Sequence, residues 1–175
     1  MKTHIFVATD GSDTAAKAVD LAADLAARYD LDLTIGHVLH FGRPSEELQR
    51  MAHVEHMIEE VRAKSGVDFP NVPDTMLSLF AETRPGENAV RLVTLVGDEI
   101  LHRAADQAAN MGATKIKTVS SQGDTADAIL DMAKEAGADM IVIGHRGLGR
   151  LRRAWLGSVA QKVLNTADCT VVSVR

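Results

Sequence analysis

Met140-Ile141-Val142-Ile143 carries no polar residue at any position. No other segment limits the architecture as tightly. A strand with one wet face alternates, whereas a strand apolar throughout is buried on both faces, the condition of a parallel sheet clad by helices on either side. Parallel neighbours need long crossovers, so helices must lie between the strands.

The rest of the chain supplies that rhythm. His4 to Thr9 reads as a strand and Asp10-Gly11-Ser12-Asp13 as a turn rich in helix caps. Thr14 to Arg28 follows as a helix with Ala15, Val19, Ala22, Ala23 and Ala26 at helical spacing, then Leu33 to Leu39 as a strand. Asp98 to Met111 reads as a helix closed by Gly112, Lys115 to Ser120 as a strand, and Ala126 to Glu135 as a helix entered through Gly123-Asp124-Thr125. Gly157 to Thr166 reads as a helix and Thr170 to Val174 as the last strand. Five strands alternating with helices predict one α/β domain over residues 1–175, a doubly wound five-stranded parallel sheet with helices on both faces. Between the halves, Ser45 to Lys64 reads as an amphipathic helix, and Gly66 to Pro85 holds three of the four prolines without a clean period.

Composition narrows the function. With 46% hydrophobic residues a proper core is available, and with only four Phe, Trp155 and Tyr29 that core must be aliphatic. Nineteen Lys and Arg against 24 Asp and Glu give a net charge of −5, which argues against nucleic acid or an anionic membrane as a general partner. Cys169 is the sole cysteine, which rules out an intramolecular disulfide or a Cys-based zinc cage and fits a reducing compartment. The apolar run from His4 reaches Asp10 too soon for a signal peptide, and nowhere do 18 apolar residues run together; the expectation is a cytoplasmic protein with no membrane insertion.

In a doubly wound sheet, ligands lie beyond the carboxyl ends of the strands, where the winding reverses. The segment from Gly144 to Ser158, after the apolar strand, combines three features. Gly144 and Gly147 permit positive φ and leave amides free to form an anion nest. Gly157-Ser158 opens a helix whose unpaired amides and dipole favour a phosphate, with the Ser158 hydroxyl as a further donor. From Gly144 to Ala167 there is no Asp or Glu, while Arg146, Arg150, Arg152, Arg153 and Lys162 are present.

The spacing Gly144-x2-Gly147-x9-Gly157-Ser158 resembles the nucleotide-binding signature of universal stress proteins. Asp10-Gly11-Ser12, His37-Val38, Gly123-Asp124-Thr125 with Ile129, Ala138-Asp139 and Cys169 are similar to other parts of that family's pattern. Thr125 and Thr170 stand where the family commonly has proline, and residues 41–97 form a longer insert than it usually shows. The resemblance implies a Rossmann-like fold of the adenine nucleotide alpha-hydrolase type, with ATP, accompanied by magnesium, between the first and fourth strands. It implies Ala8, Thr9 and Asp10 near the adenosine, with Asp10 either accepting from a ribose hydroxyl or helping to hold a metal on the phosphates. It also implies the Val38 backbone at the adenine edge, Ile143 against the nucleoside, Gly144, Arg146 and Gly147 around ribose and phosphates, and Gly157, Ser158 and Val159 on the phosphate tail.

Plainer readings stand beside these. Asp10 serves equally well as a cap for the first helix. Arg150, Arg152 and Arg153 read as a solvated face, His53 and His56 as a surface pair without a third ligand, Met51 and Met57 as helix packing, and Cys169 as a small buried hydrophobe. His37 and His40 receive no role. Enzyme signatures fail on missing parts: there is no Gly-x4-Gly-Lys-Ser/Thr, the dinucleotide fingerprint breaks at Arg152, and no Gly-x-Ser-x-Gly elbow or second acid beside Asp10 exists. The expectation is therefore a regulatory homodimer that binds ATP or another adenine nucleotide in a stress response and pairs through Thr170 to Arg175, with catalysis slow or absent. The alternatives are an adaptor that binds a transporter or kinase through the insert, and a slow nucleotide hydrolase.

Overall fold

The computed structural model describes residues 3–40, 87–146 and 156–175. The expected helix over 45–64, the proline-rich stretch to Pro85, the histidine pair and the segment 147–155 lie outside the described residues, Gly147 and Arg150, Arg152 and Arg153 among them.

The elements run β1 (His4–Ala8), α1 (Asp13–Tyr29), β2 (Asp32–Leu39), α2 (Glu87–Asn110), β3 (Ile116–Gln122), α3 (Thr125–Glu135), β4 (Met140–Gly144), α4 (Ser158–Thr166) and β5 (Thr170–Val174). The sheet order is β3-β2-β1-β4-β5 with every pairing parallel. From β1 the chain winds outward through β2 to β3, crosses back past β1 to β4, and winds the other way to β5. The reversal falls between β1 and β4. The expected doubly wound parallel sheet is the observed one, and α2 begins at Glu87, inside the stretch expected to be insert.

Two apolar layers sandwich the sheet. Ile5, Val7, Leu33, Ile35 and Val142 meet the alanine-rich side of α1 and the Leu101, Ala104 and Ala108 side of α2. On the other face Phe6, Ala8, Val38, Ile141 and Ile143 meet Ile129 and Met132 of α3 and Ala160 and Val163 of α4. Alternation along β1 sends Ile5 and Val7 one way and Phe6 and Ala8 the other, so both faces are dry. Phe6 is fully buried, and its ring lies over Gly36 of β2, where an added Cβ would sit 2.2 Å from the ring's Cζ. With so few aromatics, one bulky ring is accommodated by one missing side chain.

Candidate functional site

The β1–α1 turn is built from local side-chain bonds. The Thr9 amide extends the ladder to the Gly36 carbonyl at 2.9 Å, the Thr9 hydroxyl accepts from the Gly11 amide at 3.3 Å, and Asp10 Oδ1 accepts from the Ser12 amide at 3.0 Å. Ser12 is the cap of α1, its hydroxyl accepting from the Ala15 amide at 3.2 Å. The capping reading of Asp10 is corrected accordingly: Asp10 folds the turn one step earlier, and Ser12 takes the helix end, a contribution of about 1 kcal/mol.

This turn is clasped to the end of β4. The Thr14 hydroxyl donates to the Arg146 carbonyl at 2.5 Å. The clasp requires close backbone approach, and a Cβ on Gly144 would lie 3.1 Å from the Arg146 carbonyl oxygen and 3.2 Å from that of Thr14. Among the described residues Gly144 is not one of the glycines with positive φ. Its expected left-handed role is corrected: Gly144 ends β4, and glycine is needed there for proximity rather than for backbone handedness.

Beyond the clasp, the His145 amide and Nδ1 both contact the Val174 carbonyl, at 2.6 and 3.0 Å, and the Gly157 amide donates to the His145 carbonyl at 2.8 Å. These bonds hold the start of α4 against the end of β4. Gly157 is the cap position of α4 and supplies no side-chain bond, and the first intrahelical bond runs from the Gln161 amide to the Gly157 carbonyl at 2.8 Å. The Ser158, Val159 and Ala160 amides therefore open the helix unpaired within it, at the positive end of its dipole. By contrast, α1 and α3 are capped, the latter by Asp124 accepting from the Ala126 and Asp127 amides at 3.2 Å.

Lys162 does not add to that positive end as the sequence count expects. Its ammonium lies 2.7 Å from Asp127 Oδ1 and 3.1 Å from Asp124 Oδ1, so it ties α4 to α3. These contacts hold the Lys162 pKa up, Asp127 foremost, and the Lys162 hydrogen bond holds the Asp124 carboxyl below its usual range.

The apolar residues expected at the nucleoside come together. Ala8, Val38 and Ile143 belong to one buried cluster, with Val159 packed against it. The Gly36 carbonyl faces β1, so Val38, two residues on, turns its backbone groups the same way. The last β1 pairing is Ala8 with Gly36, which leaves that edge of Val38 beyond the end of the neighbouring strand. Ala8, Thr9, Asp10, Val38, Ile143, Gly144, Arg146, Gly157, Ser158 and Val159 thus sit at the carboxyl ends of β1, β2 and β4 and the start of α4.

A family model described as the universal stress protein family matches residues 1–175. The chain belongs to the universal stress protein family. It is 33% identical over 180 aligned positions to the universal stress protein YxiE of Bacillus subtilis, with all of both chains covered. Among solved structures, a universal stress protein in complex with cAMP matches at TM-score 0.60 and 24% identity, covering 99% of this chain and 97% of the other. The Archaeoglobus fulgidus universal stress protein in complex with dAMP matches at TM-score 0.59 and 20% identity, covering 99% and 98%. At those identities the two structures establish the shared fold.

Sequence reasoning missed two residues of the candidate site in this universal stress protein. Thr14 looks like an ordinary first-turn residue, and its tie to Arg146 spans 132 residues and three crossovers that no local pattern reveals. His37 received no role, yet its Nδ1 lies 2.8 Å from the Thr9 carbonyl, and burial, the dominant influence, lowers its pKa from the ordinary 6.5. The signal for His37 was present: a histidine two residues before the end of a largely apolar strand must find a partner. Cys169 is partly buried, at the edge of the α3/α4 layer. A cavity of about 150 Å³ lies on the other face, between the turn, α1 and α2, lined by Thr9, Ser12, Ile100, Arg103 and Gln107 among others. No group of three metal-ligating side chains occurs among the described residues, and none of their helices is long and apolar enough to cross a membrane.

Proposed function

We propose that this universal stress protein is a regulatory homodimer that binds an adenine nucleotide, ATP with magnesium first, between the carboxyl ends of β1 and β4, and that it acts in a stress response in the cytoplasm with turnover slow or absent. The observation that carries the reading is the uncapped start of α4, anchored through Gly157 and His145 beside the Thr14–Arg146 clasp. Three unpaired amides at a helix N-terminus stabilise a phosphate. The fit extends to the rest of the ligand. The open edge of Val38 suits a purine's paired donor and acceptor, and Ala8 and Ile143 offer an apolar wall. Asp10 uses Oδ1 on the Ser12 amide, and Oδ2 suits a ribose hydroxyl or a magnesium held mainly by phosphates. The cAMP and dAMP named for two structures of the same fold support an adenine nucleotide as the class.

The test uses a variant that the structure recommends. Ser158 is the first residue of α4 and follows Gly157 at φ −71° and ψ 152°, a conformation that accepts a following proline. Ser158→Pro therefore removes one amide and the hydroxyl while leaving the helix intact. At about 100 times Kd, ATP stabilises the parent by about 2.7 kcal/mol, a rise of several degrees in Tm. Ser158→Pro is expected to keep the ligand-free Tm and lose most of that rise. No rise with ATP or AMP in the parent, or an equal rise in the variant, would overturn the reading.

A further inference from the structure

His37 stands in a family-like motif and points away from the apolar wall just described. Its ring lies on the α2 side of the sheet, where a Cβ added at Gly97 would sit 3.2 Å from Cδ2 and 3.7 Å from Nε2. A backbone carbonyl only accepts, so the 2.8 Å contact with Thr9 requires the proton on Nδ1 and leaves the lone pair of the neutral ring on Nε2, toward α2. The contact completes Thr9. Its amide is held by the Gly36 carbonyl, its hydroxyl by the Gly11 amide and its carbonyl by His37, so no polar group of this buried residue is left to rotate. Asp10 is the next residue, and the plane of the Thr9–Asp10 peptide sets where its carboxylate starts.

We propose that His37 is the positioning residue of the nucleotide site, its Nδ1–H holding the Thr9 carbonyl so that the β1–α1 turn presents Asp10 to the ligand. The inference rests on the nucleotide reading for its ligand and on the turn geometry for itself. Burial, the largest influence, disfavours a charged ring, the Thr9 carbonyl and Asp10 from the turn favour it, and His40, just past the end of the strand, disfavours it. From α2, Gly97 faces the ring and carries no charge. A neutral donor is therefore what the position uses, and an amide can replace it.

Two substitutions separate donor geometry from bulk. In His37→Asn the amide nitrogen falls near the place of Nδ1, and in His37→Gln it falls near Nε2. Both full-length variants are titrated with magnesium and ATP by calorimetry at pH 8. The expected result is Asn within about threefold of the parent Kd and Gln weaker by about tenfold, the size of one lost hydrogen bond. Gln binding as tightly as the parent, or Asn as weakly as Gln, overturns the proposal. A parent that binds neither ATP nor AMP removes the nucleotide reading instead. The Gly11 and Ser12 amide resonances then decide: unmoved in Asn and displaced in Gln supports the positioning role, and equal displacement in both overturns it.

Discussion

The Thr14 hydroxyl and the Arg146 carbonyl meet at 2.5 Å across 132 residues of sequence. That bond joins the first turn of α1 to the loop leaving β4, the two segments that diverge from the point where the sheet reverses its winding. Thr14→Val keeps the shape and removes the hydroxyl donor from this half-buried clasp. One lost hydrogen bond costs about 1 kcal/mol, so the midpoint of urea unfolding is expected to fall accordingly, with Thr14→Ser restoring most of the loss. Equal stability of the Val and Ser variants would show that the clasp contributes nothing.

Gly36 faces the Phe6 ring at a separation no real Cβ could share, 2.2 Å to Cζ. Gly36→Ala must therefore displace a ring in the middle of the α3/α4 layer, and the expected loss is about 2 kcal/mol or more. A smaller residue on β1 makes room. Phe6→Leu alone is expected to destabilise by leaving a cavity, yet the double variant should be more stable than the sum of the two losses predicts, because each change relieves the other. A double-mutant cycle in denaturant measures that coupling, and strict additivity would contradict the contact.

The sheet was legible because four of the five strands announce themselves by runs of apolar or β-branched residues and the crossovers by helical stripes, while the edge strand β3, IKTVSSQ, is mostly polar. Met140 to Ile143, buried on both faces, alone implied parallel neighbours, and Thr170 to Val174 falls on its expected bounds. The end of β4 was legible as a place but not as a geometry. Gly144 reads in sequence as a nest glycine free to take positive φ, and only the approach of Thr14 and Arg146 shows that it is a spacing requirement. Lys162 shows the same limit. Counting charges along one segment places it with a phosphate, while the packing of α3 on α4 supplies Asp124 and Asp127 from elsewhere in the chain. Local pattern determines elements; contacts between distant segments determine what a polar side chain does.

The partly buried ring of His37 makes stability depend on pH in a defined direction. Burial lowers its pKa in the folded chain below the ordinary 6.5, so the unfolded chain binds the extra proton first. A group of this kind contributes stability in full above about pH 6.5, and the contribution is lost as pH falls through the folded value. Thermal unfolding of the parent is expected to drop more steeply between pH 7 and pH 5 than that of His37→Asn, whose side chain does not titrate. Parallel curves for the two proteins would mean that the ring escapes its burial when protonated.

The outer edge of β5 gives the last prediction. The Val174 carbonyl accepts from the His145 amide, so Val174 and Val172 turn their backbone groups toward β4, and Val171 and Ser173 turn theirs outward. An edge of this kind is a template for pairing, and a second copy related by a two-fold axis would satisfy both chains alike. Proline at an outward position keeps the β4 ladder and removes the donor that a partner strand needs. Ser173→Pro is therefore expected to run as a monomer in native mass spectrometry at micromolar concentration where the parent runs as a dimer. A variant that stays dimeric would move the interface to another face of the molecule, and a monomeric parent would remove the homodimer from the proposed function.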